Sequence, residues 1–257
     1  MEGAPFVRST LDDGVVTLTL ARPDKLNALT RTGLAELVAA LDEAAHDPAA
    51  RVVLLRGDGR SFCAGADVAE VMANRDTDAA TGFLTRLADV LRAVSIVPKP
   101  VVAAVRGHAA GGGAELALEA DLRIAAEDAQ LWFPDVGIGS TPATLYTLYR
   151  CVGRSKATEM AMLGTRLDAG EMLRLGLVTE VVPIAKLEDA ALRLARRLGG
   201  LSPTSLRLAK QAVRLADEAG REVELAANVT AMLACWETPE QQAAAARFRE
   251  RRESRDE

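Results

Sequence analysis

Aromatic residues make up only 4% of the 257 residues, and alanine is abundant instead, a composition that favours close packing of helices through small side chains. Cysteine is also scarce: Cys63, Cys151 and Cys235 are odd in number, far apart and without C-x-x-C spacing. That pattern provides neither a disulfide framework nor a zinc site, and it fits a reducing compartment. Cys63 has no paired histidine pattern and reads as packing rather than as a nucleophile. A basic excess is missing as well. The net charge of −5 argues against nucleic acid as a partner, because phosphate binding needs a concentrated basic surface. The one dense basic run, Arg247 to Arg252, is interrupted by Glu250 and reads as the solvated face of a last helix. No stretch approaches the ~18 apolar residues of a membrane span. Met1-Glu-Gly-Ala-Pro5 has neither the basic start nor the apolar core of a signal peptide. The expectation is a cytoplasmic protein without membrane contact.

What is plentiful is apolar material, 49% of residues against 26% charged, an ordinary globular balance. A chain of this length buries about three quarters of its unfolded surface and needs no covalent or metal staple. Val15-Val-Thr-Leu-Thr-Leu20 alternates threonine with aliphatics after the turn Asp12-Asp13-Gly14, as in a hairpin. Leu34, Leu37, Val38, Leu41 and Ala45 recur at helical spacing over 31–46, and the pattern stops before Pro48. Buried strands are predicted at 51–56, 101–105 and 122–126, with a long helix over 79–95 that ends at Val97-Pro98-Lys99-Pro100. This alternation is that of an α/β protein. After about 185 the strands cease. A helix is predicted over 186–199, and Gly199-Gly200-Leu201-Ser202-Pro203 is the clearest break. Ser202 and Pro203 then supply an N-cap and a first-turn proline for the next helix. The chain divides into an α/β core, 1–198, and a helical part, 199–257. No solenoid-period repeat is present.

Two loops carry glycines where chemistry would use them. Ser61-Phe-Cys-Ala-Gly-Ala-Asp-Val68 follows a predicted strand, and Asp67 with Glu70 has capping-box spacing. The Ala66 N–H then falls at a helix start, where donors lack intrahelical partners. Taken alone, that also describes an ordinary strand-to-helix turn. The second loop, Arg106-Gly-His-Ala-Ala-Gly-Gly-Gly-Ala-Glu115, holds three consecutive glycines at an entropic cost that a plain connection would avoid. A helix starting near Gly112 aims free N–H groups and a partial positive charge outward, with Glu115 on the same helix face. A nucleotide loop is the rival reading, but Leu116 stands where G-x-G-x-x-G needs its third glycine, and Glu115 would repel a phosphate. Asp135 lies in the apolar, glycine-rich stretch Trp132 to Pro142 with no Lys or Arg nearby in sequence. It is either a surface turn acid or, turned inward, a carboxyl of raised pKa. His108 reads as a packed loop histidine or a substrate contact, and His46 as a surface residue at a helix C-terminus.

In this order and spacing the segments resemble the crotonase superfamily, the enoyl-CoA hydratase/isomerase enzymes, over essentially the whole chain. The residues that carry the resemblance are Arg22-Pro-Asp-Lys-Leu-Asn-Ala-Leu29, Phe62-Cys-Ala-Gly-Ala-Asp67, Gly107-His-Ala-Ala-Gly-Gly-Gly-Ala-Glu-Leu116 and Phe133-Pro-Asp-Val-Gly-Ile-Gly-Ser-Thr-Pro142. Gly176-Leu-Val-Thr-Glu-Val-Val-Pro183, Ser202-Pro203 through Ala209-Lys210 and Phe248-Arg-Glu-Arg-Arg252 extend it to the tail. The resemblance implies a spiral of repeated β-β-α units with a C-terminal helical oligomerisation region, assembled as a homotrimer or dimer of trimers. Leu225, Val229, Met232 and Leu233 give that region an apolar face, which equally fits packing on the chain's own core. It implies an acyl-CoA substrate whose carbonyl oxygen sits between the amides of Ala66 and Gly112, with Glu115 and Asp135 as the catalytic acids. Lys25, Leu26, Ala28, Ala64, Gly65, Asp67, Val68, Gly111, Pro134 and Phe248 would contact the thioester or coenzyme A, with Phe248 and Arg251 near a neighbouring subunit's ligand. No metal or separate cofactor is implied.

Two departures stand out. The second acid is aspartate, one methylene shorter than the hydratase glutamate. Ala143-Thr-Leu-Tyr-Thr-Leu-Tyr149 replaces a Gly-Gly pair and a T-x-R-L stretch, about two residues shorter to Gly153, and Tyr146 and Tyr149 either add a hydroxyl to the pocket or pack. With both acid positions filled, the first expectation is a 2-enoyl-CoA hydratase that uses Glu115 to deprotonate water and Asp135 to exchange the C2 proton. The alternatives are a 3-enoyl to 2-enoyl-CoA isomerase, a hydrolase or decarboxylase of the same fold, and a non-catalytic acyl-CoA-binding protein.

Overall fold

The computed structural model describes residues 4–73 and 77–217 and a few isolated positions after 232. Its main sheet has six strands in the order β1-β2-β3-β4-β6-β9: Val7–Asp12, Val15–Leu20, Val52–Gly57, Val101–Val105, Leu122–Ala126 and Glu180–Val182. Only the first pair is antiparallel, joined through Asp13 and Gly14 at φ +46° and +75°. Two successive residues at positive φ form the tight turn that matches strand twist, so the expected hairpin is present. The remaining pairs are parallel. β3 and β4 read Val-Val-Leu-Leu and Val-Val-Ala-Ala-Val without a polar interruption because both of their faces are covered.

One face of the sheet, with Val53, Leu55, Val101, Ala103 and Val105, belongs to the main core beneath α1 (Arg31–His46), α3 (Thr77–Ile96) and α4 (Gly112–Glu119). The other face, with Val52, Leu54, Val102, Ala104 and Ile124, is covered by α7 (Leu187–Gly199) through Leu187, Ala190, Ala191 and Ala195. Small side chains let that helix lie close to the strands, the use anticipated for the abundant alanine. α1 begins where Thr30 accepts from the Gly33 amide at 3.0 Å, and it buries the leucines picked out by spacing, Leu34, Leu37 and Leu41.

A second, three-stranded sheet holds β5 (His108–Ala110), β7 (Gln130–Trp132) and β8 (Leu167–Asp168). It shows how the chain spirals. In β4-β5-α4 and in β6-β7-α5 (Tyr146–Leu163) the first strand joins the large sheet, the second joins the small one, and a helix follows. After β3 the chain reaches the small sheet only through the isolated bridge Cys63–Ala109, then enters α2 (Val68–Ala73) and α3. α6 (Ala169–Arg174) lies between β8 and β9.

The break at 199–203 is where α7 ends and α8 (Pro203–Asp217) begins, with Ser202 Oγ accepting from the Ser205 amide at 3.3 Å. α8 is tied to the core by Lys210, whose Nζ donates to Asp121 Oδ2 at 2.8 Å and to the carbonyls of Val94 and Lys99. Most of the expected C-terminal helical region, including Leu225, Val229, Met232, Phe248 and Arg251, lies outside the described residues. No helix among the described residues is long and apolar enough to cross a membrane.

Candidate active site

The first loop is assembled against the early turn. Leu29 N donates to Gly65 O at 2.8 Å, Asp67 N to Leu29 O at 2.8 Å, and Ala64 N to Leu26 O at 3.0 Å. Asn27, buried with φ +57°, staples the turn: its Nδ2 donates to the carbonyls of Asp58, Ser61 and Phe62, and its Oδ1 accepts from the Arg22 amide. In the sequence Asn27 stands out only as one residue of the Arg22–Leu29 turn motif. Its buried hydrogen bonds emerge once the distant segment around 58–62 is brought alongside.

Asp67 caps α2 as expected, its Oδ1 accepting from Ala69 N and Glu70 N at 3.1 and 3.2 Å. The reciprocal half of the capping box is absent. Asp67 N is already engaged by Leu29 O, and Glu70 Oε1 instead accepts from Arg31 N at 3.0 Å. The other Asp67 oxygen meets Arg22 at 2.7 Å. Burial pushes this carboxyl up, but the guanidinium and the two amides outweigh it and hold the pKa below its ordinary value.

The two loops are stitched by Cys63 N donating to His108 O and Ala110 N donating to Cys63 O, at 2.9 and 3.0 Å. Gly65, at φ +91°, allows the contact: a Cβ there would lie 2.6 Å from Ala110 O and 3.5 Å from Gly112 N. Only glycine fits both the backbone angle and the space. Gly111, at φ +49°, turns the chain into α4, and a Cβ on it would lie 3.7 Å from Asp135 Oδ2 and 3.9 Å from Pro134 Cδ. The helix starts at Gly112, as its glycines suggested. Among the described residues, neither the Ala66 nor the Gly112 amide N–H has a hydrogen-bond partner, and both residues are partly exposed.

The carboxyls border the same place. Glu115 is 2% exposed, and its Oε1 accepts from Ala143 N at 2.6 Å and Thr144 N at 2.9 Å. These donors come from the segment that departs from the family pattern, and being backbone amides they survive its change of side chains. Burial, helped by the Asp135 charge and Glu119 and opposed by the two amides, pushes Glu115 up to about 8. Asp135 is turned inward, its Oδ2 buried and without a partner among the described residues, and burial pushes it up to about 6. The surface-turn alternative is therefore overturned. Asp135 ionises first, and its charge then opposes ionisation of Glu115.

The structure thus gathers Ala64, Gly65, Ala66, Asp67, Gly111, Gly112, Glu115, Pro134 and Asp135 into one cluster, with Val68 opening α2. Leu26 and Ala28 adjoin it, half-buried, and Lys25 is exposed at its edge, while Phe248 lies outside the described residues. Cys63 is fully buried, donates to Asn27 O at 3.2 Å and is pushed up to about 12 by burial, which makes it the packing residue expected. His108 packs edge-on against Trp132 at 5.2 Å, and burial followed by the charges of Arg166 and Arg60 keeps its pKa low. His46 sits at the exposed end of α1. Tyr146 opens α5 half-buried, whereas Tyr149 is 48% exposed, so helix packing does not account for the second tyrosine.

Two unpartnered amides beside two inward-turned carboxyls are the groups needed to hold negative charge on one oxygen while a proton moves next to it. The spiral that carries them is the crotonase fold, shared with solved structures over nearly the whole chain. An enoyl-CoA hydratase from Mycobacterium avium subsp. paratuberculosis aligns with a TM-score of 0.87 at 30% identity, covering 96% of this chain and 100% of that one. An enoyl-CoA hydratase/isomerase from Xanthobacter autotrophicus aligns with a TM-score of 0.88 at 31% identity, covering 96% and 98%. The chain belongs to the enoyl-CoA hydratase/isomerase family, whose model matches residues 10–256. Among curated relatives it is 35% identical to a short-chain-enoyl-CoA hydratase of Clostridium acetobutylicum over 93% of this chain and 92% of that protein. It is 36% identical to a 1,2-epoxyphenylacetyl-CoA isomerase of Escherichia coli, over 82% and 83%.

Proposed function

We propose that this enzyme adds water across the 2,3 double bond of a 2-enoyl-CoA thioester. The observation that carries the reading is the pair of unpartnered amides, Ala66 and Gly112, beside two buried carboxyls of separated pKa. Attack of water at C3 moves electron density onto the thioester oxygen, which the two N–H groups receive. Donors fixed in advance in a water-poor site contribute about 3–4 kcal/mol each to the transition state. The enolate then takes a proton at C2. One carboxylate accepts the proton from water and one carboxylic acid supplies C2, so the reaction needs the pair to hold a single proton.

Between about 6 and about 8 the free enzyme is in that state, with the proton on Glu115 and the charge on Asp135. Those values favour Asp135 as the starting base and Glu115 as the acid, the reverse of the roles the resemblance implied. The proposal is accordingly for the two carboxyls as a unit that exchanges a proton through the bound water. Coenzyme A enters as part of the substrate, with Lys25, Leu26, Ala28 and the 64–68 loop as its nearest side of the cluster, and the chemistry uses no separate cofactor.

A second reading, a 3-enoyl to 2-enoyl-CoA isomerase, is favoured by the unpartnered oxygen of Asp135, because one carboxylate suffices to carry a proton from C4 to C2. A 2-enoyl-CoA assay separates the two. Loss of the conjugated thioester absorbance is the hydration signal, and its gain from a 3-enoyl-CoA is the isomerisation signal. No change in either assay, with both thioesters bound, would sink both readings.

A further inference from the structure

Glu119 is a buried carboxyl that the chemistry above leaves unused. It lies one helical turn beyond Glu115 on α4, is 6% exposed, and its Oε1 accepts from Thr147 Oγ1 at 2.8 Å. Glu115 in turn is held by the amides of Ala143 and Thr144. Two carboxyls four residues apart on α4 therefore grip two points, four and three residues apart, on the segment that leads into α5. The N-cap of α5, Leu145, makes no side-chain cap, so the Thr147 hydroxyl on Glu119 ties that first turn to α4. Burying a carboxylate is costly where an alanine or leucine would fill the same space, which points to a purpose other than filling the core.

We propose that Glu119 is a positioning residue for Glu115: by holding Thr147 it fixes where the Ala143 and Thr144 amides stand, and hence where the Glu115 carboxyl is presented. Its charge also acts directly through space, as one of the influences that push Glu115 up. Charged groups from β6, α5 and α8 lie around Glu119. Arg123 on β6 and Lys210 on α8 both feel its charge. Asp121, Arg150 of α5 and Arg214 of α8 line the same cavity of about 370 Å³ as Glu119 and Thr147.

The kinetic arm of the test rests on the hydratase reading, whereas the titration arm does not. With ¹³C-labelled glutamate, the titration midpoint of Glu115 is followed by NMR in the wild type, Glu119→Gln, Thr147→Val and Thr147→Ser. Glu119→Gln keeps an acceptor for Thr147 but removes the charge, so the midpoint falls. Thr147→Val releases the 143–144 segment and loosens its amides, so the midpoint rises. Opposite movements, each by a few tenths of a pH unit or more, are the signature of positioning. Movement in the same direction, or none, overturns it. In hydration assays Thr147→Val lowers kcat about tenfold with KM within about twofold, and Thr147→Ser, which retains the hydroxyl, restores it. A loss that Thr147→Ser fails to restore, or no loss in Thr147→Val, also overturns the proposal. If Thr147→Val does not fold, Thr147→Ala, which also removes the hydroxyl held by Glu119, takes its place in both arms with the same expected results. A wild type that turns over no enoyl-CoA overturns the hydratase reading and leaves the titration result standing.

Discussion

In the proposed hydration Glu115 and Asp135 take opposite duties, because their surroundings separate two groups that are nearly equal in water. Below about 6 both are protonated and no base remains; above about 8 both are ionised and no acid remains. The kcat of hydration is therefore expected to follow a bell with flanks near those values, and Asp135→Asn to lower kcat by about 10²–10⁴. A profile that stays flat from pH 5 to 9 would contradict this. The same burial has a stability consequence of definite sign. A carboxyl whose folded pKa is raised binds more protons folded than unfolded, so its contribution is present below the unfolded value, 4.5, and is lost as pH rises through about 8. Glu115→Gln cannot ionise, so its melting temperature should match the wild type near pH 4 and exceed it by several degrees at pH 9. Equal melting at both pH values would argue against a buried, proton-retaining Glu115. Gly112 and Glu115 were legible in the sequence because three glycines and an acid at helical spacing have few cheap uses. The inward turn of Asp135 was not, since residues 132–142 alone do not say which side of the chain meets the core.

At the scale of elements, the two loops depend on one another. Gly65 sits against Ala110 O and the Gly112 amide, so its lack of a side chain sets the distance between Ala66 and Gly112. Gly65→Ala demands φ +91° of a residue with a Cβ, at about 1–2 kcal/mol, and drives the loops apart. The expected outcome is a fall in kcat of about 10² with a smaller change in KM, read in the 2-enoyl-CoA assay, and wild-type kcat in this variant would refute the shared role of the amides. The long elements were readable from period and punctuation: α1, α3, β4, β6 and the hairpin fall within a residue or two of expectation. The strands at 108–110, 130–132, 167–168 and 180–182 were not, because two or three residues are too few to show a period. They exist through pairing with distant partners. The full capping box at Asp67 failed for the same kind of reason, Arg31 from another helix having claimed Glu70.

For the whole molecule, the alternation of strand and helix indicated an α/β class, while the division into two sheets depends on which strands meet and left no mark in any single segment. Assembly belongs to this scale. α8 presents Leu208 and Val213 at 51% and 68% exposure, surface that an isolated subunit would leave in water. A homotrimer or a dimer of trimers is the expectation, and multi-angle light scattering giving the mass of three or six chains of 27.2 kDa would bear it out. A mass of one chain at micromolar concentration would refute it.

On the proposed 2-enoyl-CoA reading, the buried thiol of Cys63 bears on how the enzyme survives its own substrate. An α,β-unsaturated thioester is an electrophile that alkylates thiolates, and Cys63 stands three residues from the Ala66 amide proposed to bind its oxygen. With no exposed surface, a donated hydrogen bond to Asn27 O and a pKa pushed up to about 12, the sulfur presents almost no thiolate to the reagent beside it. With such a substrate, the packing that closes the loop around Asn27 would double as chemical protection against alkylation of the sulfur.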